Sequence, residues 1–152
     1  MPLFEIHGGA LLAVPQGSFE AEGLSERYDI QQWIRKSPSV LGENLFVISE
    51  EFGHWEDSKR RIDILAIDED ANPVVIELKR TDDGGHMELQ AIRYAAMISA
   101  MTFDDVVSAH DRYLGKYDSS GKGEARTRIL KFLGEEGQEK VEISSKPRII
   151  LL

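Results

Sequence analysis

Runs of apolar residues, broken by short polar segments, predict several strands in the first half of the chain. Three strands are expected where apolar, isoleucine-rich or β-branched residues cluster: Leu45–Phe52, Arg61–Asp68 and Pro73–Lys79. Nearer the N-terminus, residues 3–20 favour one or two short strands around Gly8-Gly9. The pattern therefore indicates a chain with a sheet at its centre.

Helical spacing predicts a first helix before these strands. Ile30, Trp33 and Ile34 recur at the i, i+3, i+4 spacing of one buried stripe, and Asp29 before them is a typical capping residue. The helix is expected to end at Ser37-Pro38, because proline disfavours helical geometry in the residue before it.

Three more helices and a last strand are expected in the second half. The helices are His86–Met101, which is apolar all round and therefore expected to be buried, Phe103–Gly115 and Lys122–Gly134. The apolar run Arg148–Leu152 predicts a strand, and a strand, a helix and a further strand suggest a parallel crossover in a mixed sheet.

Length and composition agree with one α/β domain. We expect a single domain over 1–152, with an N-terminal strand or extension at 1–24 and a core at 25–152 that is truncated at its C-terminus, because the chain ends on bare apolar residues. The chain has no cysteine, which excludes disulfides, thiolate zinc sites and cysteine nucleophiles. No apolar run approaches the ~20 residues of a membrane helix, and the start lacks the basic region of a signal peptide, so a cytoplasmic protein without a membrane partner is expected.

The net charge of −9 argues at first against a nucleic-acid-binding protein, but its distribution changes that view. Residues 1–57 carry 10 acids and 3 bases, a net −7, whereas residues 58–152 carry 17 acids and 15 bases, a net −2. Within the second part, residues 112–131 hold six bases and two acids. A local basic face is therefore compatible with the acidic whole.

The most informative anomaly is a row of charged residues inside apolar strands. Side chains alternate between the two faces of a strand, so Ile62, Ile64 and Ala66 are expected on one face and Asp63 on the other. By the same rule Glu77 and Lys79 lie on one face of the next strand, about 7 Å apart. Asp63 joins them if the two strands are neighbours.

This trio suits metal-assisted hydrolysis. Clustered carboxylates favour Mg²⁺ or Mn²⁺ over zinc, such a metal can activate water at a phosphate, and a nearby lysine can orient that water. The alternative is a solvated Glu-x-Lys ion pair on an exposed edge strand.

The segment RIDILAIDEDANPVVIELKR, followed by LQAIRYA, resembles the metal-dependent PD-(D/E)xK nuclease superfamily, and within it the DUF91/NucS-like endonuclease domains. The resemblance covers about residues 28–100. It implies a restriction-endonuclease-like α/β fold, with a central mixed sheet of about four to five strands flanked by helices in the order αβββαβ. It also implies that Asp63, Glu77 and Lys79 form the active site, with Asp63 and Glu77 as ligands of Mg²⁺ or Mn²⁺.

The resemblance extends to further residues. Glu43 stands where a glutamate often completes the metal site, and Gln90 with Tyr94 matches the Gln-x-x-x-Tyr motif of RecB-like nucleases. Spaced i, i+4, Gln90 and Tyr94 share one helix face, where the alternative is a core glutamine satisfied beside a packed tyrosine. For Glu43 the alternative is a surface acid at a helix end.

DNA is the partner that the resemblance implies. The expected DNA contacts are Arg61, Arg80, Arg93 and Tyr94, with Lys59, Arg60 and the basic 122–131 helix as further candidates. The family's separate N-terminal DNA-binding and dimerising domain has no counterpart in the some 25 residues before the first helix, so mismatch specificity is not expected to carry over. Ile62 also stands where the superfamily's name has proline.

The expected function is therefore a divalent-metal-dependent deoxyribonuclease, with a homodimer left open. One alternative is an inactive module of the same fold that binds DNA or a protein. Another is a structural or assembly domain that uses its acidic N-terminal third as a contact surface.

Overall fold

The computed structural model describes residues 3–18, 21–53, 61–78 and 87–152, without the side chains of residues 26, 27, 87 and 88. It contains a two-stranded hairpin, a four-stranded mixed sheet and four helices. The strands are β1 (Phe4–His7), β2 (Ala10–Ala13), β3 (Leu45–Phe52), β4 (Ile62–Asp68), β5 (Pro73–Glu77) and β6 (Arg148–Leu151). The helices are α1 (Gln31–Lys36), α2 (Met87–Ile98), α3 (Phe103–Tyr117) and α4 (Ala125–Phe132).

The larger sheet has the strand order β3-β4-β5-β6. The first three strands are antiparallel neighbours, and β6 pairs with β5 in parallel after the helical crossover. Within the described residues the hairpin is followed by one helix, three strands, three helices and a last strand, which confirms the expected mixed α/β architecture.

Two apolar clusters lie on opposite faces of this sheet. On one face Leu65, Ile67 and Val75 pack against residues of α2, α3 and α4, among them Tyr94, Val106 and Ile129. On the other face Ile64, Ala66, Val74 and Ile76 pack with Ile34 of α1. Both faces of β4 and β5 are therefore covered, which is why these strands are almost continuously apolar.

The turns follow local chemistry. Gly8 and Gly9 both have positive φ, 57° and 83°, as the two-residue loop of a type I′ hairpin requires, and β1 and β2 pair in register across them. Gly42 (φ 83°) ends the 3-10 turn Pro38–Leu41 in a left-handed conformation that costs glycine little.

Helix α1 begins differently from the expectation. A turn of π-helix, Glu26–Ile30, precedes it, so Asp29 lies inside the helical segment, and its carboxylate accepts from the amide of Ser25 at 2.7 Å. Ile34 is buried as predicted, but Trp33 keeps 48% of its surface exposed. The buried stripe is therefore narrower than its spacing suggested, since only Gln31 and Ile34 of the six residues of α1 are buried.

The second helix is the clearest departure. It was expected to be buried all round, yet Leu89, Ile92 and Met97 are more than 40% exposed. Only the face with Ala91, Tyr94, Ala95 and Ile98 is buried against the sheet. Among the described residues no helix is both long and apolar enough to span a membrane.

Candidate active site

Asp63 and Glu77 lie together at one end of the central sheet. Strands β4 and β5 pair Ile64 with Ile76, so the next position of the same register sets Asp63 opposite Glu77. The Asp63 amide donates to Oε1 of Glu77 at 3.4 Å, and the Leu78 amide donates to Oδ2 of Asp63 at 2.8 Å. Glu77 is only 3% exposed. The two carboxylates are therefore adjacent and held by backbone donors.

Helix α1 adds a residue that sequence reasoning missed. Gln31 is 7% exposed, and its Nε2 lies 3.2 Å from the carbonyl oxygen of Asp63 and 3.4 Å from Oε1 of Glu51. A buried amide needs such partners, since an unpaired polar group is costly. The signal in the sequence was a polar residue directly after Ile30 within an apolar stripe.

Glu51 marks an irregular end of the β3–β4 ladder. Its φ is 47°, unusual for a residue other than glycine, and Phe52 after it pairs with Ile62. Ile62 packs in the same cluster as Leu65 and Ile67, whereas Ile64 belongs to the cluster on the other face of the sheet. The prediction that Ile62 and Ile64 share one face is therefore wrong. The regular alternation thus breaks next to Asp63, because the ladder is distorted where β3 ends.

Two residues of the expected site lie outside the described residues. They are Lys79, the proposed water-orienting residue, and Arg80, an expected DNA contact; Lys59 and Arg60 lie outside as well. Their contribution stays a prediction from the sequence.

The structure does not bring Glu43 to this site. Both of its carboxylate oxygens accept from Arg148, at 2.6 and 2.9 Å, and Arg148 also donates to Asp68 at 2.9 Å. Asp68 ends β4, five residues or about 16 Å along the strand from Asp63. Glu43 therefore links β6 to the far end of the sheet, and we drop it from the expected metal ligands.

Gln90 and Tyr94 share a helix face as predicted. The Gln90 amide donates to the Tyr94 hydroxyl at 3.0 Å, and Tyr94 is 3% exposed within the helix-side cluster. Because a DNA strand cannot reach a ring this buried, the expected DNA contact of Tyr94 is replaced by a packing role. Gln90, which is half-buried, lies with the tyrosine rather than with Asp63 in the hydrogen bonds that the structure shows.

The expected basic contacts differ in availability. Arg61, next to Asp63, and Arg93 on α2 are exposed. In the basic 112–131 segment, Arg126 pairs with Asp104 at 2.7 Å, and Arg128 pairs with Asp118 and Glu124, each at 2.9 Å. Since these guanidinium groups already meet carboxylates, the segment offers less positive charge to a phosphate than its composition suggested.

A cleft of about 460 Å³ opens beside Gln31 and Glu51. Its walls include Arg35 and Lys116, which lie over the Tyr117 ring at 4.4 and 4.6 Å and also approach Glu50. The cleft thus combines amide, aromatic and cationic groups next to the carboxylate pair.

The donor set fits Mg²⁺ or Mn²⁺ in part. Magnesium is commonly held by one or two carboxylates, with water and substrate phosphate completing its six ligands, and Asp63 with Glu77 supplies two. Across the described ranges, however, no group of three or more His, Asp or Glu residues is placed to hold a metal.

Comparison with known proteins adds no independent guide to this site. No family model, no curated protein and no solved structure matches the chain. We therefore infer the function from the residues of the site and their geometry.

Proposed function

We propose that the chain is a divalent-metal-dependent nuclease domain that hydrolyses phosphodiester bonds in DNA. The observation that carries this proposal is the juxtaposition of Asp63 and Glu77 on adjacent strands, with Glu77 buried at 3% exposure. Adjacent carboxylates supply oxygen ligands of the kind that Mg²⁺ and Mn²⁺ prefer. The resemblance of this segment to the PD-(D/E)xK superfamily supports the same reading.

Each residue has a definite role in this proposal. Asp63 and Glu77 hold Mg²⁺ or Mn²⁺, together with the carbonyl oxygen of Leu78. The metal supplies Lewis-acid chemistry, which lowers the pKa of bound water and offsets charge that develops on the phosphate. Lys79, two residues after Glu77 on the chain, orients the attacking water, and exposed Arg61 contacts the DNA backbone.

Gln31 keeps the pair in place rather than touching the substrate. Its amide bonds to the Asp63 carbonyl and so ties α1 to the end of β4. A carboxylate displaced by about 1 Å can cost on the order of 10²-fold in rate. Gln31 is therefore a positioning residue in the proposed enzyme.

A cleavage assay tests the proposal. Wild type, Asp63→Asn, Glu77→Gln and Lys79→Ala are incubated with single-stranded and double-stranded DNA in Mg²⁺ or Mn²⁺. The three variants should lose at least about 10²-fold in rate, since each removes a metal ligand or the water-orienting amine. Asp70→Asn, an exposed acid on the β4–β5 turn, is the matched control and should keep full activity.

The variant Glu43→Gln distinguishes the metal-binding role predicted for Glu43 from the sequence from the Arg148 ion pair that the structure shows. If Glu43 only binds Arg148, this variant loses stability but cleaves at the wild-type rate once folded. Cleavage that is equal in wild type, Glu77→Gln and Lys79→Ala would overturn the assignment.

The second candidate is a module of the same fold that binds DNA or a protein without cleaving. The observation in its favour is that the described residues include no three-ligand metal group, while Oδ2 of Asp63 already accepts from Leu78. Calorimetric titration with Mn²⁺ distinguishes the two, because the module has no need to bind metal at millimolar concentration.

A further inference from the structure

Helix α2 has two apolar faces, of which the sheet covers one. Its outer face carries Leu89, Ile92, Ala96 and Met97 at i, i+3, i+7 and i+8. Leu89, Ile92 and Met97 are 56%, 57% and 42% exposed, and Arg93 is the charged residue among them. A helix that is apolar on both sides is normally covered on both sides.

The edge strand β6 adds exposed apolar side chains on the same side of the sheet as α2. Within the described residues β6 pairs with β5 alone, so its other edge is open. Ile149 pairs with Val75, whose side chain faces the helix layer, so Ile149 and Leu151 lie on the side of α2. Both are nearly 40% exposed. We call α2's outer face together with Ile149 and Leu151 the α2–β6 surface.

The N-terminal hairpin also exposes apolar side chains that no described element covers. Its apolar side chains keep 41–80% of their surface exposed: Leu3, Phe4, Ile6, Leu11, Leu12 and Val14. Phe4, Ile6 and Leu11 share one face through the pairing of β1 with β2. An isolated two-stranded hairpin is marginally stable in water at best, so this face needs a surface to pack on.

We propose that two copies of the chain exchange their hairpins, so that the β1–β2 hairpin of each covers the α2–β6 surface of the other. The contacting face of the hairpin and the α2–β6 surface each offer roughly 400 Å² of exposed apolar side chain, so two symmetric junctions bury on the order of 1,600 Å², the standard size of a stable interface. The open edge of β6 can also accept a strand of the hairpin and satisfy its backbone groups.

Charge favours the hairpin over a second α2 as the cover. In an antiparallel α2–α2 contact the two copies of Arg93, near the middle of the outer face, would approach each other in an apolar surrounding, which is costly. The hairpin segment 3–14 contains no lysine or arginine, so it brings no like charge against Arg93. Self-repulsion between copies is thereby avoided at the junction.

The connecting segment allows the exchange. Residues 14–25 include no helix or strand among those described, and twelve residues can span about 40 Å. In the single chain both the hairpin and the α2–β6 surface stay exposed, so the chain does not cover its own α2 with its own hairpin. A second copy closes both surfaces at once.

Sedimentation over a range of micromolar concentrations tests the dimer. Wild type should be dimeric, whereas Ile6→Asp on the hairpin and Ile92→Asp on α2 should each be monomeric with unchanged circular dichroism. Val40→Asp, at an equally exposed residue on the 3-10 turn, is the matched control and should stay dimeric. A monomeric wild type, or a dimer that persists in Ile6→Asp, overturns the proposal.

Cross-linking distinguishes exchange from closure within one chain. The chain has no cysteine, so Ile6→Cys and Met97→Cys can be introduced alone and in differently tagged copies. A short bifunctional maleimide should join the two tags in a mixture of the single variants. If the double variant links only within one chain and the mixture gives no mixed product, the hairpin covers its own α2 and the exchange is wrong.

Discussion

Asp68 shows how one side chain can join three parts of the fold. Its carboxylate accepts from the amides of Asn72 and Asp70, from the Asn72 side chain and from Arg148. Burial raises the pKa of Asp68, but the hydrogen bonds from Asn72, Arg148 and Asp70 together outweigh it and hold the pKa below the usual 3.8. The ionised form is therefore part of the folded state.

We predict that Asp68→Asn is less stable than wild type by about 1–3 kcal/mol at neutral pH, because charge-assisted bonds to Arg148 are lost. A group with a depressed folded pKa stabilises fully above its unfolded pKa, and this contribution is lost as the pH falls through the folded pKa. Urea unfolding from pH 7 down to acid should thus show a steeper decline for wild type than for Asp68→Asn. Equal slopes would contradict the role of the carboxylate.

His110 is a second buried group with a pH signature. Its Nδ1 lies 3.0 Å from the carbonyl oxygen of Ile48, where β3 has its register shift, and Nε2 has no hydrogen-bond partner among the described residues. Burial lowers the pKa of His110 from the usual 6.5, so the folded protein holds the ring neutral. The ring packs between Phe46 and Tyr113 as a core aromatic, rather than as a metal ligand.

We predict that wild type loses stability as the pH falls below about 6.5, because the unfolded chain takes up a proton that the folded ring resists. His110→Asn keeps a donor for the Ile48 carbonyl but cannot titrate in this range. Thermal unfolding between pH 7 and pH 5 should therefore decline less in the variant, although the variant starts from a lower melting temperature. A parallel decline in both proteins would assign the pH effect to other groups.

Among the helices and strands, α3 shows most clearly how local residues determine where a helix begins. Thr102 and Asp105 form a capping box: the Asp105 amide donates to the Thr102 hydroxyl at 3.2 Å, and the Thr102 amide donates to the Asp105 carboxylate at 2.8 Å. These bonds satisfy two orphan donors and explain why the helix begins at Phe103, where the sequence predicted it.

We predict that Thr102→Ala costs about 1 kcal/mol in the free energy of unfolding, the usual value for a lost N-cap. Thr102→Ser keeps the hydroxyl and should stay within a few tenths of wild type. Chemical denaturation of the three proteins measures both values. If Ala and Ser variants are equally destabilised, the loss comes from the threonine methyl group rather than from the cap.

The predicted ends of strands and helices agree best with the observed ends where the local sequence pattern was strong. Strand β3 was predicted at its observed bounds, and β4 and β5 differ from the prediction by one and two residues. Helix α4 is shorter than predicted, since it begins at Ala125 after the 3-10 turn Ser119–Gly121. A Cβ at Gly121 would collide with Arg128 and Asp118, so this turn depends on a contact that spacing does not reveal.

At the scale of the whole molecule, the proposed metal site predicts that a cation bound by Asp63 and Glu77 would raise the stability of the folded protein. A ligand that binds only the folded state at ten times its dissociation constant stabilises it by about 1.4 kcal/mol. For a domain of this size that corresponds to a rise of roughly 3–6 °C in the melting temperature.

We predict that Mn²⁺ raises the melting temperature of wild type and of the control Asp70→Asn, but not of Asp63→Asn. The asparagine can still accept from the Leu78 amide, so the variant is expected to fold. Calorimetric scans with and without Mn²⁺, both in Ca²⁺-free buffer, check this. An equal rise in all three proteins would place the metal elsewhere.

The sequence alone determined the order of the elements, the mixed character of the sheet and, on the condition that the two strands are neighbours, the adjacency of Asp63 and Glu77. All three depend on local periodicity and on a short β4–β5 turn, which fix geometry over few residues. Only the tertiary structure placed Glu43 on Arg148, 105 residues away, and Gln31 beside Asp63, 32 residues away. It also showed that α2 covers the sheet with one face and leaves its other apolar face exposed. These features depend on how distant elements dock, and periodicity contains no information about which partner a face will meet.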